Sequence, residues 1–105
     1  MLRIYPFIIE SLKLLQPVIV QVAKHDLDLS RQMRRAASSI ALNAAEGFGS
    51  KGGNERLRYR SSVGSTQEVR ACLDVAEAFA YIDAVDPALR DRFDRIAATM
   101  HRLAT

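Results

Sequence analysis

Gly47-Phe-Gly49-Ser-Lys-Gly52 spells GxGxxG, the pattern that cradles a dinucleotide pyrophosphate. That chemistry needs the glycines to follow a strand and open a helix, because the helix N-terminus supplies donors to the phosphates. Here they follow a helix-forming run, Ser38-Ser-Ile-Ala-Leu-Asn43-Ala-Ala-Glu46, so they read as a loop that ends one helix and reverses the chain. The polar residues around that loop are the next candidates. Arg35, Ser39, Asn43 and Glu46 recur at spacings that place them in one helical stripe, and Glu68 follows Ser61, Gly64 and Ser65 on the next helical stretch. Two carboxylates can act as an acid–base pair. No histidine, cysteine or hydroxyl stands where it would complete a triad, and Glu46 lacks the Glu-x-x-His partner of a di-iron bundle site. His25 falls in a connection and His101 on the last helix, and the single Cys72 rules out an internal disulfide or a cysteine metal cage. No catalytic residue, metal ligand or cofactor is expected.

A structural role suits the polar set better. If the helices on either side of the glycine loop pair antiparallel, facing residue numbers sum to about 100. Glu68 then faces the turn holding Arg34 and Arg35, Ser61 and Ser62 face Ser39, and Glu46 faces the start of the following helix. A carboxylate on a helix seam must be paired or protonated, since burying it alone costs several kcal/mol, on the order given for buried ions. The expectation is therefore a network of Arg35, Ser39, Asn43, Glu46, Ser65 and Glu68. In it an arginine locks Glu68, and Asn43 with Glu46 holds the loop.

The basic residues point to an anionic partner. Residues 31–70 carry eight bases and three acids, a net of +5, against zero for residues 1–30 and −2 for residues 71–105. Arg31, Arg34 and Arg35 open one helical stretch; Lys51, Arg56, Arg58 and Arg60 occupy the loop and the start of the next. Arg56, Tyr59, Arg60, Val63 and Arg70 share an outer arc, and arginine interleaved with tyrosine suits RNA through phosphate pairing and base stacking. The alternative is a solvated face on a scaffold whose partner is another protein.

Four helical stretches position these groups, with almost no strand signal. The first spans about 5–24, with Ile4, Phe7, Ile8, Leu12, Leu15, Val18, Ile19 and Val22 at helical period, and Pro17 is expected to kink or break it. Ile9, Leu14 and Val20 widen its apolar arc beyond what one bundle core needs. The second spans 31–48 behind Ser30 as N-cap, with Met33, Ala37, Ile40, Ala41, Ala44 and Phe48 inward. The third spans 54–82, with a seven-residue rhythm of Leu57, Ser61, Gly64, Glu68, Ala71, Val75, Ala78 and Ile82 as its expected inner face. The fourth spans 87–104 after Asp86-Pro87, a capping side chain followed by proline, and turns Leu89, Phe93, Ile96, Ala97, Met100 and Leu103 inward. Short connections between amphipathic helices give an all-α, antiparallel up-down-up-down four-helix bundle, a single domain over 1–105. Apolar residues at 49% and charged residues at 26% exclude a disordered chain. With no leader-like segment and no apolar run read as long enough to span a bilayer, the chain is expected in the cytoplasm and off the membrane.

Arg34-Arg35-Ala36-Ala37-Ser38-Ser39-Ile40-Ala41-Leu42-Asn43-Ala44-Ala45-Glu46-Gly47-Phe48-Gly49 resembles the RRA-x-x-SI-x-x-N-(I/A)-AEG-x-G signature of the bundle proteins encoded in intervening sequences of 23S ribosomal RNA genes. Gly64-Ser65 followed by Glu68 is similar to that family's GS-x-x-E element, so the resemblance runs from about Leu29 to Ile82. It implies a four-helix bundle that assembles into a homo-oligomer, a pentameric ring. It also implies kinship with the basic accessory protein of diversity-generating retroelements, which engages nucleic acid and a reverse transcriptase. No catalytic residue is carried over. The expected function is a non-enzymatic, homo-oligomeric accessory protein that binds RNA or DNA weakly through Arg31, Arg34, Lys51, Arg56, Arg58, Tyr59, Arg60 and Arg70.

Overall fold

The computed structural model describes residues 2–105 and holds four helices: α1 (Tyr5–Ala23), α2 (Leu27–Phe48), α3 (Gly52–Ala78) and α4 (Pro87–Ala104). No strand occurs among the described residues. Side-chain contacts between neighbouring helices run in opposite directions along the chain. Ile40 meets Ser62 and Glu46 meets Arg58 across α2 and α3, while Arg70 meets Asp94 and Asp74 meets Arg90 across α3 and α4. These pairs are therefore antiparallel. The apolar core fills from all four helices, with Ile8, Leu15, Met33, Ile40, Val69, Leu73, Phe93, Ile96 and Met100 fully buried.

α1 stays continuous through Pro17, so it does not break into two short helices. Pro17 is exposed, and the carbonyl its ring leaves without a donor, one turn back, belongs to solvent-facing Lys13. Leu14 and Val20 are about half exposed, as the over-wide arc implied. One expectation fails here: at 19 residues and a mean hydropathy of 1.3, α1 is long and apolar enough to cross a membrane by length and composition. Leu15, Ile19 and Val22 of this helix are packed into the bundle.

α2 begins four residues before the expected start. Asp26 has an extended backbone and its carboxylate accepts the Leu29 N–H at 2.9 Å, which makes it the N-cap. Ser30 lies inside the first turn, buried, with its hydroxyl donating to the Leu27 carbonyl at 2.7 Å. The earlier start brings Leu29 into the core. At the far end Phe48 is exposed rather than inward, and buried Gly47 takes the core position one residue before it.

α3 differs most from the expectation. Its buried residues are Tyr59, Ser62, Thr66, Val69, Cys72, Leu73 and Ala76, whereas Leu57, Ser61, Gly64, Glu68, Ala71, Val75 and Ala78 face solvent. Hydroxyls on the true inner face are satisfied at close range: Ser62 donates to the Ile40 carbonyl at 2.9 Å and Thr66 to the Ser62 carbonyl at 2.8 Å. The helix also ends at Ala78 rather than residue 82. Ala80 adopts a left-handed backbone with φ 58°, and the Ala80 and Tyr81 N–H groups bond back to the Glu77 and Ala76 carbonyls. This is the Schellman closure, with alanine where glycine is usual.

α4 has the expected bounds, with Asp86 accepting the Ala88 N–H at 2.9 Å and Pro87 at the first position. Leu103 is partly exposed, and Ala104 is buried in its place. The α3–α4 connection is tied by Glu77, whose carboxylate accepts the Val85 N–H at 2.7 Å and the Arg90 guanidinium at 3.0 Å. The backbone bond first, then the arginine, hold its pKa below the ordinary carboxylate value. α1 and α4 meet more sparsely than the other neighbours. Arg92 bridges them, donating to Ser11 Oγ at 3.1 Å and Glu10 Oε1 at 2.6 Å, and its guanidinium lies 4.3 Å from the Phe7 ring centre.

Candidate nucleic-acid interface

Antiparallel α2 and α3 bring the polar residues of the glycine-loop region onto one side of the bundle. Ser39 is the hub. Its hydroxyl accepts from Ser65 Oγ at 2.8 Å and from Asn43 Nδ2 at 2.8 Å, and its carbonyl accepts the same Asn43 amide at 3.0 Å. Asn43 thus binds one turn back along α2 and does not reach the loop. Facing numbers here sum to 102–104, from Ile40 with Ser62, Ser39 with Ser65 and Glu46 with Arg58, so the register sits about one turn from the expected one. Glu46 meets the start of α3 as expected, through Arg58 at 3.1 Å. Both side chains are about half exposed, so the pair contributes little stability.

The Glu68–arginine lock does not form: Glu68 and Arg35 are exposed, and neither makes an ion pair among the described residues. Because Glu68 lies outside the seam, water solvates it and no partner is required. The glycine loop is held instead by close packing. Gly47 lies so near the Tyr59 ring that an added Cβ would fall 2.4 Å from Tyr59 Cε1. Gly52, with φ 61°, then turns the chain into α3.

Tyr59 is only 3% exposed, which removes it from any base-stacking role. Burial, and secondarily the Glu55 charge, push its phenol above the usual tyrosine pKa. The exposed aromatic near the loop is Phe48, which the helical period had placed inward; its place on the rim of the α2 apolar arc was the available signal. Arg58 is engaged by Glu46, and Arg70 by Asp94 of α4 at 3.1 Å. Arg31, Arg34, Arg35, Lys51, Arg56 and Arg60 are exposed and make no ion pair among the described residues.

The three α2 arginines converge. With Ser38, Ser39 and Leu42 they line an open groove of about 400 Å³ on the outer side of α2. Ser38 and exposed Leu42 join because they fall between the arginines on the helical wheel. Guanidinium forks clustered in this way are suited to phosphate and carboxylate oxygens. Lys51 and Arg56, also exposed, lie past the other end of α2, a helix about 33 Å long at 1.5 Å per residue.

Cys72 is buried, and burial, with a smaller effect from Glu68, pushes its thiol pKa up, away from the reactive thiolate. Among the described residues no three His, Cys, Asp or Glu side chains gather into a metal-sized group.

The family described as 23S rRNA-intervening sequence protein matches residues 10–102. The chain belongs to that family. The match to the 23S rRNA-intervening sequence proteins reaches beyond the Leu29–Ile82 stretch that carried the resemblance and takes in parts of all four helices. No curated protein and no solved structure matches the chain.

Proposed function

We propose that this 23S rRNA-intervening sequence protein is a non-enzymatic, homo-oligomeric accessory bundle that binds RNA or DNA weakly through its basic α2–α3 side. The observation that carries the reading is the groove lined by Arg31, Arg34 and Arg35, none of them neutralised by an acid among the described residues. Unpaired arginines along one helix fit the spaced phosphates of a nucleic-acid backbone. With Tyr59 buried, the surface offers charge more than base stacking, so binding should be weak, tolerant of sequence and steeply salt-dependent. A homo-oligomer repeats the patch and strengthens weak contacts through avidity. The ring of five implied by the family likeness is the assembly to look for first.

Fluorescence anisotropy with short labelled RNA and DNA, duplex and single-stranded, over a salt series tests this. Arg34→Ala combined with Arg35→Ala should weaken binding and reduce the log–log salt slope by about 0.7–0.9 per lost phosphate contact. No binding at low salt, or a slope unchanged by the double substitution, would remove the nucleic-acid role. That result would favour the second reading, a scaffold for another protein, which the exposed Leu42 inside the arginine groove supports.

A further inference from the structure

Residues 71–105 carry a net charge of −2, and that tally hides a row of cations on α4. Arg92, Arg95, Thr99 and Arg102 follow one another at steps of three, four and three, so they share one face of the helix. That face is turned toward α1. Arg92 bonds to Ser11 and Glu10 of α1, and the guanidinium carbons of Arg92 and Arg95 lie 4.3 and 4.4 Å from the centre of the Phe7 ring. Two cations thus press on one ring, and only one of them has an acid. Glu10 neutralises Arg92, while Arg95 makes no ion pair among the described residues. Contact with a ring face holds a guanidinium in place but leaves its N–H donors unused. Arg95 is therefore positioned and still open to an acceptor.

Two turns on, Arg102 donates to Thr99 Oγ1 at 3.3 Å, and it too has no acid among the described residues. That bond draws its guanidinium back along the helix toward Arg95. The acids of α4 do not cancel the row. Asp94 is held on the α3 side by Arg70 at 3.1 Å, and exposed Asp91 makes no ion pair with Arg95 one turn further on. Continuing the antiparallel count from Phe7 beside Arg95 brings exposed Arg3 to the level of Thr99.

We propose that Arg95, Thr99 and Arg102, with Arg3 across the edge, form a second site for the phosphate backbone of a nucleic acid. Planar guanidinium forks match phosphate oxygens, and the threonine hydroxyl adds a further donor. From Arg95 to Arg102 the helix rises about 10.5 Å. A strand carries one charge per about 3.4 Å of duplex axis, so the row tracks a short stretch of backbone and reads no base. The inference shares its ligand class with the proposed function and none of its residues. α2 and α4 each pack on α1 and α3, and so stand diagonally across the bundle. The bundle measures 24 × 19 Å across, several phosphate spacings, so the α2 groove and the α4 row engage separate stretches. One chain then holds two strands, or two segments of one folded RNA, and brings them together.

Arg95→Gln with Arg102→Gln removes both charges and keeps good helix formers, with circular dichroism as a check on folding. Fluorescence anisotropy with a labelled single-stranded RNA over a salt series compares wild type, this pair, the Arg34→Ala and Arg35→Ala pair, and all four substitutions together. The α2 pair should leave weaker, salt-dependent binding. Adding the α4 pair should then lower the log–log salt slope by about 0.7 for each arginine lost. In the α2 pair, a tetranucleotide should also move the Arg95 and Arg102 side-chain N–H signals in 15N NMR spectra. Binding abolished by the α2 substitutions alone overturns the second site and leaves the proposed function standing. Residual binding whose slope ignores the α4 substitutions overturns it too, as do N–H signals that stay in place. Binding that falls with the α4 pair and ignores the α2 pair upholds the α4 row and removes the groove. A wild-type chain that binds no nucleic acid removes both.

Discussion

Replacing Gly47 with alanine puts a methyl group 2.4 Å from Tyr59 Cε1, 2.6 Å from Cδ1 and 3.1 Å from Cζ. Those are ring atoms of a side chain that is 3% exposed, with core on its other side, so the ring or the helix backbone must move. Overpacking of this kind costs about 1–3 kcal/mol. Alanine returns up to about 1 kcal/mol of helix propensity. The net expectation is a loss of about 1–2 kcal/mol, a fall in Tm on the order of 5–15 °C for a domain of this size. Gly64→Ala is the internal control. Its added methyl meets nothing within 4 Å, so only the propensity gain of about 0.5–1 kcal/mol remains and Tm should rise. Thermal and urea unfolding of dilute protein, followed by far-UV circular dichroism, reads both. Repeating Gly47→Ala in a Tyr59→Leu background closes the cycle, and the penalty should shrink when the ring is gone. A neutral Gly47→Ala, or a penalty of the same size without the ring, would refute the packing argument.

Other substitutions probe features in different places. Ala80→Gly relieves a left-handed alanine at the end of α3 and should stabilise the fold by about 1 kcal/mol, seen as a higher urea midpoint; a lower midpoint would mean that the Ala80 side chain contributes more than its backbone costs. Glu77 has a folded pKa below its unfolded one, so its stabilisation is fully present above the ordinary glutamate value of about 4.3 and is lost as pH falls through the folded value. The urea midpoint of the wild type should therefore drop across that acidic window, and Glu77→Gln should flatten this part of the profile. A variant profile that keeps the full drop would place the effect on other carboxylates.

The helices were legible in sequence wherever local chemistry decided them. Asp86-Pro87 marked the start of α4, and its apolar period named Leu89, Phe93, Ile96 and Met100 correctly. α2 began earlier than read because both Asp26 and Ser30 can cap a helix, and only tertiary packing of Leu29 chose between them. The inner face of α3 was hidden. Ser62 and Thr66 look like surface residues, but their hydroxyls bond to carbonyls at once and are buried without penalty. The apolar Leu57 and Val75 offered a cleaner seven-residue rhythm on the opposite side. Reading the wrong face displaced the α2–α3 register by about a turn, put Glu68 inside and left Tyr59 outside. Of the α2 arginines, Arg31 and Arg34 were read as open to an anionic partner, whereas Arg35 was assigned to the network around Glu68; with Glu68 turned to solvent, Arg35 lines the groove beside the other two.

The bridge between α1 and α4 sets an order of release. α1 rests mainly on α2, and on its other flank it is fastened by Arg92 gripping Ser11, Glu10 and the face of Phe7. A guanidinium clasp of this kind can swing into water and keep its charge solvated, whereas parting α2 from α3 exposes Ile40, Val69 and the Ser62 hydroxyl together. Opening at the α1–α4 edge alone should therefore cost less than parting α2 from α3. Backbone amides of α1 should then exchange with solvent before those buried between α2 and α3.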